Sequence, residues 1–152
     1  MKDDIYKNLQ QHLDRMPVPF PETKSGVEIK LLKQLFTEEE AKVALNLSAV
    51  AESVGRIHHL FMKDEISRKD LTAVLDRMVE KGAIKAITDS KGNRRYGKLP
   101  LAIGMFEYQV DRVTKELAED FFKYEDEGFA DALLKNKTQQ LRTIPVNIDL
   151  KP

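Results

Sequence analysis

The chain has no cysteine, no tryptophan and only seven glycines among its 152 residues. Without cysteine it offers no disulfide, no thiolate nucleophile and no cysteine ligand for zinc or an iron–sulfur cluster. The glycines are scattered, so the sequence has no glycine-rich loop of the kind that binds phosphate. No apolar run approaches the length of a membrane span, and the polar N-terminus does not resemble a signal peptide. We therefore expect a cytoplasmic protein that does not associate with a membrane.

The chain also has no formal net charge, because 25 basic side chains balance 25 acidic ones. With 41% hydrophobic and 33% charged residues, the composition is typical of one globular domain. Residues 66–99 carry nine Lys or Arg against four Asp or Glu, whereas residues 103–131 carry three against nine. A basic segment beside an acidic one predicts a polyanion-binding surface on a separate scaffold. Chance variation of surface charge is the alternative, and overall neutrality argues against a strong, indiscriminate polyanion binder.

The most informative stretch reads as a helix that runs straight into a basic β-hairpin. Ser67 and Asp70 have the spacing of an N-cap and its partner, and apolar residues then recur at helical spacing. Gly82 is placed to end the helix. Strands over residues 84–88 and 94–99, joined by a polar turn, predict the hairpin. This order predicts a winged helix-turn-helix, in which the helix lies in a groove of DNA and the hairpin, or wing, contacts the backbone.

The rest of the chain is predicted to be mainly α-helical, which makes the fold class mainly α with a winged-helix core, a two-stranded wing and a long C-terminal helix. Further amphipathic helices are predicted over residues 3–15, 25–36, 37–47, 50–60 and 105–124. We divide the chain into an N-terminal helix with a proline-rich linker (1–21), a winged-helix domain (22–102), a helical extension for dimerisation (103–134) and an extended tail (135–152).

Six stretches of the sequence carry a resemblance to a known family. They are residues 13–21 (LDRMPVPFP), 25–29 (SGVEI), 35–41 (LFTEEEA), 78–82 (MVEKG), 104–109 (GMFEYQ) and 141–146 (LRTIPV). In these stretches, which are spread over almost the whole chain, the sequence resembles the N-terminal winged-helix-like domain of 4Fe-4S ferredoxin-type proteins of anaerobic prokaryotes. Members of that family continue into cysteine-rich cluster motifs.

The resemblance implies a domain that works beside an iron–sulfur segment. Because this chain has no cysteine, the cluster function is not carried over to any of its residues, and we expect no cofactor. The implied partner is an iron–sulfur protein, or a C-terminal portion that follows in a longer chain. Both a stand-alone domain and a part of a longer protein fit the sequence.

Nucleic-acid binding is the leading functional hypothesis: a dimeric transcriptional regulator that binds duplex DNA. Cations of the wing would contact phosphates and the exposed face of the helix would contact bases. Acidic residues interrupt that face, and winged helices also serve as protein-interaction modules, so a non-enzymatic interaction or dimerisation module is the alternative. The predicted DNA-binding residues are Arg68, Lys69, Thr72, Arg77, Lys91, Arg94, Arg95 and Lys98.

A homodimer is predicted through the long C-terminal helix, because its apolar stripe is broader than packing on a small core requires. Packing against the N-terminal helix of the same chain is the alternative. The predicted interface residues are Phe106, Val110, Val113, Leu117 and Phe121. By analogy with dimeric winged-helix regulators, a small effector molecule would bind near Phe20, Met105 and Tyr108.

An enzyme is not expected. The histidines are three in number, and the adjacent pair His58 and His59 point about 100° apart on a helix, which suits a shared metal poorly. Glu107 and Asp111 have helical i, i+4 spacing, but a solvated acidic face is the commoner explanation of such a pair. We therefore predict no catalytic residue and no metal site.

Overall fold

The computed structural model describes residues 4–137, so most of the predicted tail at 135–152, with the stretch at 141–146, lies outside the described residues. None of the helices within this range is both long and apolar enough to cross a membrane. The regular elements follow in the order α1 (Ile5–Asp14), α2 (Val27–Leu35), α3 (Glu38–Ala44), β1 (Glu52–Ser53), α4 (Val54–Ile57), α5 (Arg68–Glu80), β2 (Ile84–Thr88), β3 (Arg94–Lys98), α6 (Lys115–Tyr124) and α7 (Ala130–Leu134).

The predicted wing is confirmed. Strands β2 and β3 pair in antiparallel register, with Ile84 opposite Lys98 and Thr88 opposite Arg94. The short strand β1, which the sequence did not predict, pairs on the other side of β3 and places Glu52 opposite Tyr96. The sheet order is therefore β1-β3-β2. The chain is therefore mainly α-helical with a small wing, which is the predicted fold class.

The helix caps follow the sequence closely. In α5, Ser67 Oγ accepts from the backbone N–H of Asp70 at 3.1 Å and donates to Asp70 Oδ2 at 2.6 Å. Gly82 ends the helical region with φ at +75°, a conformation that disfavours any residue with a Cβ. In α3, Thr37 and Glu40 form both hydrogen bonds of a capping box. Local side-chain chemistry therefore sets where these helices begin and end.

Two predicted helices begin later than the periodicity indicated. The helix expected from Val50 begins at Val54, because residues 52–53 pair with β3 instead, and it continues as a π-helical turn over His58–Met62. The helix expected from Met105 begins at Lys115, where Thr114 provides the N-cap, and a π-helical turn links it to α7. The apolar residues of 105–114 are therefore spaced like a helix but lie in an irregular loop with one 3-10 turn.

A single hydrophobic core joins all the described segments. Helix α2 packs against both α1 and α6, and α3 packs against α1 and α5. Leu9, Leu31, Leu71, Met105 and Tyr124, which come from five different segments, have no exposed surface. Burial of each such side chain contributes about 1.5–3 kcal/mol. The N-terminal helix and the C-terminal helices are thus packed on the winged-helix core.

A buried carboxylate, Glu40, connects α3 to α5. Its side chain is 1% exposed, and Oε1 accepts from Arg77 Nε at 3.2 Å. Oε2 accepts from Lys81 Nζ and from the backbone N–H of Thr37 at 2.8 Å. Burial raises the pKa of Glu40. The hydrogen bonds from Lys81, Thr37 and Arg77 together lower the pKa by more than burial raises it, so it lies below its ordinary value. This charged cluster fixes the position of α5 on α3.

We expect Glu40→Gln to lower the free energy of unfolding by about 2 kcal/mol near neutral pH, because two charge-assisted hydrogen bonds become weaker. A carboxyl with a lowered folded-state pKa stabilises the fold above its unfolded pKa of about 4.5, and that contribution is lost as the pH falls through the folded-state pKa. The difference between the two proteins should therefore shrink below about pH 4.5. Urea unfolding measured as a function of pH checks this.

The matched control is Glu39→Gln, since Glu39 pairs with Arg77 at 2.7 Å on the exposed side of the same helix. An exposed pair contributes about 0–1 kcal/mol. Equal destabilisation by the two substitutions, or a difference that does not change with pH, would contradict the role assigned to Glu40.

Candidate nucleic-acid interface and apolar surface

The first turns of α5 present cations to solvent. Arg68 and Lys69 are exposed, and neither forms an ion pair with any of residues 4–137. Thr72 is half-buried, and its Oγ1 donates to the carbonyl of Arg68 at 2.8 Å. Asp70, which accepts from the N-cap Ser67 in the first turn, lies between Lys69 and Thr72 in sequence and reduces the local positive charge. Three of the predicted DNA-binding residues are thus placed together at the N-terminal end of α5.

Arg77 is engaged within the chain, and its assignment to DNA stays a prediction. This side chain lies on the side of α5 that faces α3, where its Nε binds Glu40 and its Nη2 binds Glu39 at 2.7 Å. The capping box of α3 concentrates acidic residues in the first turn, and packing of α3 on α5 brings them against Arg77. The guanidinium is therefore paired with two carboxylates of its own chain, although half of the side chain is exposed.

Arg94 of the wing is also engaged within the chain. Its Nη1 lies 3.0 Å from Asp76 Oδ1, and its guanidinium carbon is 5.6 Å from the centre of the Tyr96 ring. Tyr96 donates its own hydroxyl to the same Asp76 oxygen at 2.6 Å. Burial, and then the neighbouring Asp76 carboxylate, raise the pKa of Tyr96 to about 12. Asp76 therefore binds the wing to α5 and neutralises a cation that the sequence assigned to DNA.

The turn of the wing is built around Asp89. Its Oδ1 accepts from the backbone N–H groups of Lys91 and Asn93, each at 2.9 Å, and its Oδ2 accepts from Arg95 Nε at 3.1 Å. The hydrogen bond from Asn93, then those from Arg95 and Lys91, lower the pKa of Asp89 to about 2. Arg95 is thus paired, whereas the side chain of Lys91 is exposed and forms no ion pair within residues 4–137.

Lys98 does not lie near the tip of the wing, and the prediction that it contacts DNA is corrected. It stands opposite Ile84 at the base of the hairpin and is 9% exposed. Its Nζ donates to the carbonyl of His12, in the last turn of α1, at 3.1 Å. The side chain is oriented into the protein because α1, which the winged-helix pattern does not include, packs over this end of the sheet.

The predicted dimer interface is corrected for three of its five residues. Leu117 and Phe121 are buried in the core of their own chain, and Phe106 stacks on Phe121 with ring centres 3.6 Å apart. Their helix, α6, packs on α2, where Lys30 and Gln34 both donate to the Asp120 carboxylate. This part of the stripe therefore packs within its own chain, with α2 as the main partner of α6 instead of the N-terminal helix that the alternative named.

The other two predicted interface residues belong to an exposed apolar loop, which we define as residues 103–113. Its members Ile103, Tyr108, Val110 and Val113 are 63%, 59%, 77% and 42% exposed, respectively. Periodicity could not identify Ile103 and Tyr108 as surface residues, because it indicated a helix with a buried stripe. Four large exposed apolar side chains within eleven residues make this loop a candidate protein-interaction surface.

The apolar loop is anchored to the end of α5. Gln109, which is buried, donates its Nε2 to the carbonyl of Lys81 at 2.8 Å. Arg112 donates to the carbonyl of Glu80 at 2.9 Å. At Gly82, a Cβ would overlap the Cβ of Tyr108. The absence of a side chain at Gly82 therefore allows the loop to approach the helix end and fixes how Tyr108 is displayed.

The residues considered above for metal binding form separate hydrogen bonds. His58 forms a hydrogen bond with the carbonyl of Ile66 at 2.9 Å, and Glu107 accepts from the backbone N–H of Gly104. Within residues 4–137 no three His, Asp or Glu side chains are grouped as they would be to hold a metal ion. Phe20 and Met105, placed near an effector by analogy, are instead buried in the core.

Comparisons of the chain with family models, with curated proteins and with solved structures found no match. The resemblance to the domain of ferredoxin-type proteins therefore stays a prediction from the stretches given above. The functional argument for this chain depends on its geometry and charge.

We expect Gly82→Ala to lower the free energy of unfolding by about 2 kcal/mol or more, since it combines a left-handed backbone with an overlap against Tyr108. Gly92→Ala is the matched control: its φ is +80°, but nothing lies near its Cβ position, so we expect a cost of about 1 kcal/mol. Urea unfolding measures both. Equal losses would mean that the apolar loop does not approach Gly82 as described.

Proposed function

We propose that this chain is a non-enzymatic protein-interaction module, built on a winged-helix fold, that self-associates through the apolar loop. The observation that carries the proposal is the exposure of four large apolar side chains within residues 103–113. The loop is held against α5 by Gln109 and Arg112, so its shape is fixed before association. A preformed apolar surface loses little conformational entropy on binding.

A second copy of the chain is the partner that the charge favours. The formal net charge is zero, so two copies do not repel each other at long range, whereas a polyanion gains no overall attraction. Burial of Lys98, and the pairing of Arg77, Arg94 and Arg95 with carboxylates of the same chain, reduce the cationic surface further. An iron–sulfur protein as partner is the alternative that the sequence resemblance implies.

We expect Val110→Asp to abolish self-association, because it would place an unpaired charge in the interface. Val110 is 77% exposed in the monomer, so the fold itself should tolerate the change. Val50→Asp is the matched control, since Val50 is 76% exposed and lies outside the apolar loop. Sedimentation equilibrium at tens of micromolar should give about twice 17.4 kDa for the natural chain and for Val50→Asp, but the monomer mass for Val110→Asp. A natural chain that stays monomeric at these concentrations would refute self-association.

Duplex DNA binding is the second candidate function. The observation in its favour is that Arg68, Lys69 and Lys91 are exposed cations without an ion-pair partner in the described range, and they belong to the recognition helix and the wing tip. Cations at these positions of a winged helix contact phosphates or base edges. The contact set is smaller than the sequence indicated, which favours weak, salt-sensitive binding.

If DNA binding occurs, Arg68→Ala with Lys69→Ala should weaken it. The slope of log affinity against log salt concentration should become less negative by about two, one for each lost phosphate contact. Lys115→Ala with Lys135→Ala is the control, because it removes the same charge from α6 and the end of α7. Electrophoretic shifts of genomic fragments at several salt concentrations make the comparison. No retardation by the natural chain at tens of micromolar would exclude this second function, and equal effects of the two pairs would exclude the assigned site.

A further inference from the structure

A cavity of about 380 Å³ opens between the end of α1, the segment that follows α3 and the base of the wing. Its volume is within the range of small-molecule sites, which begins near 300 Å³. Met16, Pro17, Leu45 and Phe61 contribute apolar walls. The cavity is separate from the apolar loop and from the cations at the N-terminal end of α5, so neither proposed function uses it.

Lys98 lines this cavity and has no full counter-charge. The residue is 9% exposed, and its Nζ forms no ion pair with any Asp or Glu of residues 4–137. An ammonium has three N–H donors, and the carbonyl of His12 at 3.1 Å accepts one of them. That carbonyl belongs to the C-terminal end of α1, which supplies only a partial negative charge. A buried charge without a counter-ion is costly, and a bound anion would remove that cost.

The other polar groups of the cavity strengthen its positive character. His12 Nε2 lies 2.9 Å from the carbonyl of Leu47, so it donates there and offers no lone pair to Lys98, 3.3 Å away. Arg15 is exposed at the rim. Glu52 is the one carboxylate among the described lining residues, and it is already paired with Arg56 at 2.5 Å. Burial, and then Arg15, lower the pKa of Lys98, which is the response of a cation that lacks a partner.

We propose that this cavity binds a small organic anion: a carboxylate on a compact apolar group. The carboxylate accepts from Lys98 Nζ inside the cavity and from the Arg15 guanidinium at the rim. The apolar group packs on Met16, Leu45 and Phe61. A carboxylate matches a site with cationic donors at one end, and the apolar walls exclude a bare inorganic ion, which would leave them in contact with water.

The test uses three probes with the full chain: sodium benzoate, the neutral isostere benzamide and inorganic phosphate. Two-dimensional ¹H–¹⁵N spectra should show saturable shifts with benzoate at the amides of Ser48 and Lys98, which border the cavity. Benzamide should bind at least about tenfold more weakly, because it lacks the charge. Phosphate should cause no saturable shift at these amides. Equal binding of benzamide would refute the role of the charge, and equal binding of phosphate would refute the role of the apolar walls.

Two variants assign the site. Lys98→Met keeps the apolar stem and removes the ammonium, so benzoate should bind about tenfold or more weakly. Because Lys98 is buried, Arg15→Gln serves as a second variant at an exposed position and should weaken benzoate binding several-fold. Lys63→Met and Lys63→Gln are the controls, since Lys63 is exposed and does not line the cavity. Unchanged affinity in both test variants would overturn the proposal.

Discussion

The buried carboxylate of Glu40 is the interaction on which the arrangement of this winged helix depends. It completes the capping box that begins α3, and it accepts from two cations near the end of α5. A carboxylate that is 1% exposed is costly unless each oxygen is satisfied, and here both oxygens are. The same group therefore sets where α3 begins and how α5 packs on it, which in turn fixes which side of α5 is presented to solvent.

Acidic residues throughout the basic segment act in the same way. Asp76 pairs with Arg94 and accepts from Tyr96, and Asp89 organises the wing turn while it pairs with Arg95. These carboxylates pair with Arg94 and Arg95 inside the chain. In a strong DNA-binding protein such cations would instead contact phosphates. The winged-helix outline is preserved, but the charge left at its surface is small. A fold of this kind is compatible with several functions, and the side chains that remain free decide among them.

The helices flanking the winged-helix core contribute most of what is distinctive. Helix α1 covers the base of the wing, where it encloses Lys98 and forms one wall of the cavity. Helix α6 packs on α2 and takes the apolar stripe that a dimer would otherwise use. Of the predicted interface residues, Val110 and Val113 remain exposed, in the loop between the wing and α6. The apolar loop and the cationic cavity therefore both lie where added elements meet the core.

The sequence by itself determined the features that depend on neighbours along the chain. The caps at Ser67 and Thr37, the end of α5 at Gly82 and the pairing of the wing follow from local hydrogen bonding and side-chain period, so they could be predicted. Only the tertiary structure decided which charges are free. Arg77 meets Glu40 across 37 residues and Lys98 meets His12 across 86, and no periodicity in sequence encodes such contacts. The late start of α6 has the same origin, because Gln109 and Arg112 anchor the preceding loop to the end of α5 through contacts that are distant in sequence. Sequence periodicity predicts which face of a single helix or strand is apolar, whereas function at a surface depends on how several elements pack together.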